Sequence, residues 1–245
     1  MENKKRVIIT GSSSGIGLSI ASALAKNSFR VFLTGRNEQR LQKNKDLIGA
    51  EGYFVCDLTE KNSSENLINA AVDCLGGIDG LVNNAGEYVY SPIEKTPSDA
   101  VEYLIKLNTC VPYELIKYVV PYMKEQKYGR IVNIGSISGS VGEANASLYS
   151  MTKSALIGLS KALGLELAEY GITVNTINPG WVETKLAADA VLEGDFSYDE
   201  NIDMIPQRRF IHPDEIAALA CYLMSNSAKG LTGQSINLCA GLSIG

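Results

Sequence analysis

The sequence predicts a doubly wound α/β fold, a single parallel sheet of about seven strands with helices on both faces. Two observations predict it. Short apolar, β-branched runs alternate with helically spaced apolar patterns along the whole chain. The first of those runs also breaks directly into a glycine-rich turn that opens a helix. Parallel strands joined through helices require right-handed crossovers. Neither an internal repeat nor a linker interrupts the pattern, so residues 1–245 read as one domain.

Lys5 to Thr10 (KRVIIT) reads as a strand buried on both faces. Gly11 to Gly17 (GSSSGIG) follows, then an amphipathic helix through Leu18, Ala21, Leu24 and Ala25. Free N–H groups and partial positive charge at a helix start attract phosphate, and glycine lets it approach the backbone closely. This context points to a dinucleotide; a plain turn is the alternative. The second strand, Phe29 to Thr34, ends at Gly35 and Arg36. There, about 20 residues beyond the loop, the adenosine ribose is expected. An acid would suit a free 2′-hydroxyl, whereas the forked guanidinium of Arg36 suits a 2′-phosphate and favours NADP(H) over NAD(H). The alternative is that Arg36 simply lies exposed.

Tyr53 to Cys56 is the third strand, and Asp57-Leu58-Thr59 is expected to open a helix through Leu67, Ala71 and Leu75, with Asp57 or Thr59 as its cap. Asp79 to Val82 forms the fourth strand and runs into Asn83-Asn84-Ala85-Gly86, small polar residues suited to the carboxyl edge of a parallel sheet. Ser98 to Lys127 is one long helical stretch that Pro112 and Pro121 should kink or break, with Asn108 in its middle. Asn108 is either a local hydrogen-bonding residue or one that faces the cofactor. The fifth strand starts at Arg130 and gives way to small polar residues at Gly135 and Ser136. Gly171 to Ile177 is the sixth, ended by Asn178-Pro179-Gly180, and Ser235 to Leu238 the last. Between them, the irregular acidic stretch 183–210 reads as a substrate flap or a surface insertion, and Pro213 starts a helix.

Composition narrows the function classes. Net charge is −5 with no basic stripe, which argues against nucleic acid as a partner. No apolar stretch approaches membrane-spanning length, and the apolar run at Val7–Ile9 is too short for a signal peptide. Five scattered cysteines without a CxxC suggest reduced thiols in a cytoplasm. The single histidine, His212, has no evident metal partners, so neither a metal site nor a Ser/His/Asp triad is expected.

The helical pattern of SLYSMTKSALIGLSKALGLELAEY carries the chemistry. Four residues apart, Tyr149 and Lys153 share a helix face. An ammonium beside a phenol lowers the phenol pKa from near 10 and makes it a usable proton donor or acceptor for an alcohol or ketone oxygen. Ser136 is placed to hydrogen-bond the same oxygen.

Taken together, Thr10-Gly11 through Gly15-Ile16-Gly17, Asn83-Asn84-Ala85-Gly86, Asn108, Ser136, Tyr149-x-x-x-Lys153, and Pro179-Gly180 with Thr184 resemble the short-chain dehydrogenase/reductase family over essentially the whole chain. The resemblance implies a seven-stranded Rossmann sheet and hydride transfer between a nicotinamide and a carbonyl/alcohol pair. It implies Tyr149 as acid/base, Ser136 as the group polarising the substrate oxygen, Lys153 as the residue that tunes Tyr149 and holds the nicotinamide ribose, and Asn108 as support for a proton relay. The cofactor would lie against Gly11, Ser13, Ser14, Gly15, Ile16 and Gly17, then Arg36, Asp57 and Leu58, then Asn84, Ala85 and Gly86. Tyr149, Lys153, Pro179, Gly180, Val182 and Thr184 would complete its site. KALGLELAEYGITVNTINPGWVET and LTGQSINLCAGLSIG look most like ketoacyl-carrier-protein reductases and bacterial polyketide ketoreductases.

The expected activity is therefore NADPH-dependent reduction of a keto group, on a β-ketoacyl or polyketide thioester of fatty acid or polyketide biosynthesis. A dehydrogenase of a free small alcohol, hydroxy acid, sugar or cyclic ketone is the alternative, and a nucleotide-sensing regulatory protein the non-enzymatic one. The substrate pocket is expected from Tyr88–Ile93, Ser138–Ala146 and the flap, with Tyr88, Val89, Tyr90, Val141, Trp181 and Leu186 favouring an apolar or aromatic substrate. Lys124, Lys127 and Arg130 are candidates for docking a carrier protein or an ordinary charged surface. Family members commonly form homotetramers or dimers through the two helices around the fifth strand.

Overall fold

The computed structural model describes residues 4–184 and 202–244. Seven parallel strands form one sheet in the order β3-β2-β1-β4-β5-β6-β7. They are β1 (Arg6–Ile9), β2 (Arg30–Gly35), β3 (Gly52–Val55), β4 (Gly80–Asn83), β5 (Gly129–Ile134), β6 (Ile172–Pro179) and β7 (Ser235–Leu238). Strand order reverses between β1 and β4, and ligands of open α/β sheets bind at the carboxyl ends of strands flanking such a reversal.

The sheet is covered on both faces, which is why β1 and β4 read as short apolar runs; β6 is as fully buried but carries Thr173, Asn175, Thr176 and Asn178. On one face Ile20, Ala21 and Leu24 of α1 (Gly15–Lys26) and Leu41 of α2 (Glu38–Ile48) pack with Ile216, Ala220 and Leu223 of α8 (Pro213–Met224). On the other, Leu67, Ala71 and Leu75 of α3 (Ser63–Leu75) pack with Leu115 and Val119 of α5 (Val111–Glu125) and Leu159 and Leu163 of α7 (Ser147–Glu166). His212 caps α8: its ring accepts from the Asp214 N–H, and Glu215 accepts from the His212 N–H.

Three local expectations are corrected. The helix after β3 starts at Ser63, not at Asp57–Thr59. The Asp57 carboxylate instead accepts from the Thr59 N–H and hydroxyl at 2.8 and 2.6 Å, closing a local turn that competes with helix formation. The stretch from Ser98 is broken before either proline: α4 (Ser98–Ile105) passes into a π turn at Lys106–Cys110 and only then into α5. Pro112 begins α5, where its missing N–H costs little, while Pro121 is carried inside that helix. Finally, Lys124, Lys127 and Arg130 lie around the amino end of β5, the sheet edge opposite the one at Gly135 and Ser136. Arg130 is buried, donating to the carbonyls of Gly129, Gly171 and Ser225.

Of the expected flap 183–210, residues 185–201 lie outside the described ones, as does Leu186. Its roots are pinned together: Val182 and Ile211 form a parallel bridge, with Glu183 N donating to Ile211 O and Ile211 N to Trp181 O. Trp181 stacks on Phe210 at 5.9 Å.

Candidate active site

A cleft of about 760 Å³ opens along the carboxyl edge of the sheet. Ser14, Gly15 and Ile16 line it from the β1–α1 loop, Asn84 and Gly86 from the end of β4, Ser136 from the end of β5, and Pro179, Gly180, Val182 and Thr184 from the end of β6. Tyr149 and Lys153 of α7 also face it. The sequence-predicted residues thus converge from four strand ends and one helix.

The glycine loop packs closely against the end of β4 and leaves the start of α1 open. A Cβ on Gly17 would lie 2.4 Å from the Gly11 carbonyl and 2.5 Å from Asn84 Nδ2, so only glycine lets the helix start lie this close to the loop. Ser14 occupies the N-cap of α1 without a side-chain capping bond, leaving the first N–H groups to an incoming partner. Asn84 clamps the loop from the β4 side, donating to the carbonyls of Thr10 and Gly11 at 2.9 and 3.1 Å. Thr10, in return, accepts from the N–H groups of Asn84 and Ala85. Ser12, absent from the expected set, ties the loop to β2 by donating to Ile9 O and Thr34 O and accepting from Thr34 N.

Lys153 is buried, and its Nζ donates to the Ile134 carbonyl at 2.9 Å, 5.6 Å from the Tyr149 ring centre. Burial drives its pKa down to about 8. Ser136 hydrogen-bonds Tyr149, and the Tyr88 ring meets the Tyr149 ring edge-on at 4.9 Å. Asn108, on the π turn, is buried behind Gly86. Its Oδ1 accepts from Glu87 N at 3.0 Å, and its Nδ2 donates to Glu87 O and Thr152 Oγ1. A Cβ on Gly86 would fall 3.1 Å from Asn108 Oδ1 and 3.3 Å from Lys153 Nζ, so glycine there lets the chain pass between the two side chains and the cleft.

A strand–glycine loop–helix, a Ser/Tyr/Lys group at the next strand ends and an Asn behind the lysine now stand in one cleft. Residues 11–243 match the family model described as enoyl-(acyl carrier protein) reductase. The chain belongs to the short-chain dehydrogenase/reductase family. It is 33% identical to the D-beta-hydroxybutyrate dehydrogenase of Cupriavidus necator over 98% of both chains. It is 31% identical to the 3-oxoacyl-[acyl-carrier-protein] reductase FabG of Vibrio cholerae over 97% of each. Among solved structures, a variant of the actinorhodin polyketide ketoreductase with NADPH superimposes with a TM-score of 0.95, at 35% identity, covering 99% of this chain and 98% of that one. The seven-strand sheet and the order of motifs are those the resemblance implied.

Within this short-chain dehydrogenase/reductase, one expected feature differs, and a second gains a partner that the sequence did not show. Tyr149 is not tuned downward by Lys153. Burial pushes its pKa up to about 12, the Ser136 hydroxyl pulls it partly back, and the Glu143 charge raises it again. Desolvation dominates, and Lys153, whose Nζ donates to the Ile134 carbonyl, is not among the groups that shift it. Arg36 is not an unpartnered fork. It pairs with Glu87 at 2.9 Å and lies 3.4 Å from the Tyr103 hydroxyl. Arg36, Asp57 and Leu58 sit beyond the lined cleft at the ends of β2 and β3; the Thr59 hydrogen bonds lower the Asp57 pKa against the opposing effect of burial, and the Arg36 charge adds to the lowering.

The sequence singled out neither Glu87 nor Glu143, and named Ser138 only as an end of the expected pocket wall. Tyr88 donates to Glu143 Oε1 at 2.7 Å, and Ser138, itself accepting from Ser136 at 3.0 Å, donates to Glu143 Oε2 at 2.6 Å. Glu143 was within reach: it is the lone acid of the Ser138–Ala146 segment expected to wall the pocket. Of the expected apolar lining, Tyr88, Tyr90, Val141 and Trp181 face the cleft, and Val89 is not among its lining residues.

Proposed function

We propose that this protein is an NADP(H)-dependent reductase that converts a keto group to an alcohol, acting on a β-ketoacyl or polyketide thioester. The observation that carries the reading is the meeting of Ser136, Tyr149 and Lys153 beside the glycine loop in one cleft. The glycine cradle and the uncapped start of α1 fit a pyrophosphate. Arg36, at the end of β2, supports a 2′-phosphate, which binds by taking Arg36 from Glu87. When bound, the nicotinamide supplies the hydride.

The chain's own residues handle the oxygen. As the carbonyl carbon is reduced, charge develops on its oxygen, and Ser136 and Tyr149 are the hydroxyl donors aimed there. Tyr149 gives up its proton to complete the alcohol; a phenol with its pKa near 12 is fully protonated at neutral pH and ready to act as the acid. Lys153 sits behind Tyr149 as a buried cation, suited to hold the cofactor's ribose and to stabilise the phenolate left by proton transfer. Asn108, fixed by Glu87 and Thr152, supports the path that returns the proton. Gly11, Ser13, Ser14, Gly15, Ile16 and Gly17 are assigned to the phosphates, Asp57 and Leu58 to the adenine side, Asn84, Ala85 and Gly86 to the central wall, and Pro179, Gly180, Val182 and Thr184 to the nicotinamide side.

Met151, Ala155, Gly158, Ala162 and Leu165 form an exposed stripe at helical spacing on α7, and Tyr113 is exposed on α5. They support a homodimer or homotetramer paired through these helices. Five unpaired cysteines support a cytoplasmic location. The test follows NADPH and NADH oxidation with an acetoacetyl thioester and a panel of free ketones. Turnover of the thioester with NADPH is expected; reaction with free ketones alone refutes the acyl assignment, and a preference for NADH refutes the role of Arg36.

A further inference from the structure

Glu143 stands in the cleft wall between α6 (Ser138–Val141) and α7. Its two carboxylate oxygens accept from hydroxyls, Tyr88 on one and Ser138 on the other, and among the described residues no Lys, Arg or His pairs with it. Through Ser138 it is two hydrogen bonds, of 2.6 and 3.0 Å, from Ser136. Tyr88 connects it to Tyr149 by ring contact. A carboxylate without an ion-pair partner among the described residues therefore stands beside the groups that would receive the keto oxygen.

We propose that Glu143 is a specificity-determining residue that rejects free keto acids and admits acceptors whose acyl group is neutral or carries a hydrogen-bond donor. This rests on the reductase reading. A β-keto acid has its carboxylate one methylene from the carbonyl that is reduced, so binding that carbonyl at Ser136 and Tyr149 brings the second negative charge close to Glu143. Two like charges about 6 Å apart at an effective dielectric near 20 disfavour binding on the order of a hundredfold. A thioester or ester of the same acid carries no charge. A hydroxyl on the acceptor gains instead, because an ionised carboxylate retains acceptor capacity beyond its two present partners. The same reasoning separates this chain from an enzyme acting on a free hydroxy acid.

The test compares kcat/KM, with NADPH and the full-length protein, for acetoacetate and for an acetoacetyl thioester, in the wild type, Glu143→Gln and Tyr88→Phe. Only the ratio between the two acceptors is read, so a loss common to both cancels. The wild type should favour the thioester by about a hundredfold. Glu143→Gln should shrink that ratio at least about tenfold, mainly through the KM for acetoacetate. Tyr88→Phe, which removes a hydroxyl but keeps the charge, should preserve it. Thioester turnover with the same ratio in the wild type and Glu143→Gln overturns this inference alone. Absence of turnover with both acceptors overturns the reductase reading, and this inference with it.

Discussion

Replacing Lys153 with Met should make the protein more stable at neutral pH and nearly inactive. Lys153 is buried, its ammonium donates to the Ile134 carbonyl, and its pKa falls from 10.5 to about 8. That difference corresponds to about 3 kcal/mol acting against the folded state wherever the lysine is charged in both states. The sign follows from the direction of the shift. Below pH 8 both states are protonated and the cost is fully present. Between about pH 8 and 10.5 the folded lysine is neutral while the unfolded one still carries its proton, so wild-type stability rises; above that range the cost is gone. Met has a similar length without the charge, and leaving Ile134 O without its donor costs about 1 kcal/mol. The net gain near pH 7 is about 2 kcal/mol, equivalent to a Tm rise of about 5 °C for a chain of this size. Urea or thermal unfolding of both proteins at pH 7 and pH 10 measures it, with the difference between the two isolating Lys153 from other titrating groups. The gap should favour Met at pH 7 and vanish or reverse at pH 10, while kcat/KM falls by about a hundredfold or more. A Met variant less stable at pH 7, by an amount independent of pH, refutes the desolvation reasoning.

Three further outcomes follow from the same site. Tyr149→Phe should lose about 10²–10⁴ of turnover while keeping NADPH affinity, measured by fluorescence titration, because it removes the acid and little of the cofactor's contact. Arg36→Ala should raise the KM for NADPH about tenfold or more and leave that for NADH nearly unchanged, whereas Glu87→Gln should lower the KM for NADPH by freeing the guanidinium; opposite signs in this pair are the check. Glu143→Gln should move the alkaline rise of alcohol oxidation to lower pH. Burial is the main reason the Tyr149 pKa stands near 12, but the Glu143 charge adds to it, and removing that charge makes the phenolate easier to form.

Much of this site was legible because its chemistry is local in sequence. Gly11 to Gly17 follow a strand and open a helix, so that local context was enough to put this loop at the carboxyl edge of the sheet. Tyr149 and Lys153 lie one helical turn apart, so their shared face needed no tertiary knowledge. Where contacts join distant segments, the sequence was silent. Arg36 meets Glu87 across 51 positions, and Tyr88 meets Glu143 across 55. Nothing in either local pattern pairs them. The sign of the Tyr149 shift was missed for a related reason: a neighbouring charge can be read from a four-residue spacing, but the depth at which both groups are buried is a property of the whole fold. Asp57–Thr59 show the reverse error, where side chains that can cap a helix closed a turn on each other instead.

The π turn shows how a backbone irregularity serves the site. Pro112 has no N–H, and its ring conflicts with the carbonyl four residues before it, which is that of Asn108. A continuous α-helix through this point would leave that carbonyl without a donor. The chain widens instead, with Val111 N reaching back to Lys106 O, and Pro112 takes the start of the following helix. Turns of this kind are frequent at functional sites because they insert a residue without ending the helix. Here Asn108 reaches both backbone groups of Glu87 and the hydroxyl of Thr152, the residue preceding Lys153. Glu87 in turn holds Arg36 with its carboxylate. One residue thus links the Arg36 cation at the end of β2 to the buried amide behind the lysine. Displacing the Glu87 carboxylate from Arg36 leaves the Glu87 backbone held by Asn108, so the proposed contact between Arg36 and a 2′-phosphate would form without disturbing Lys153.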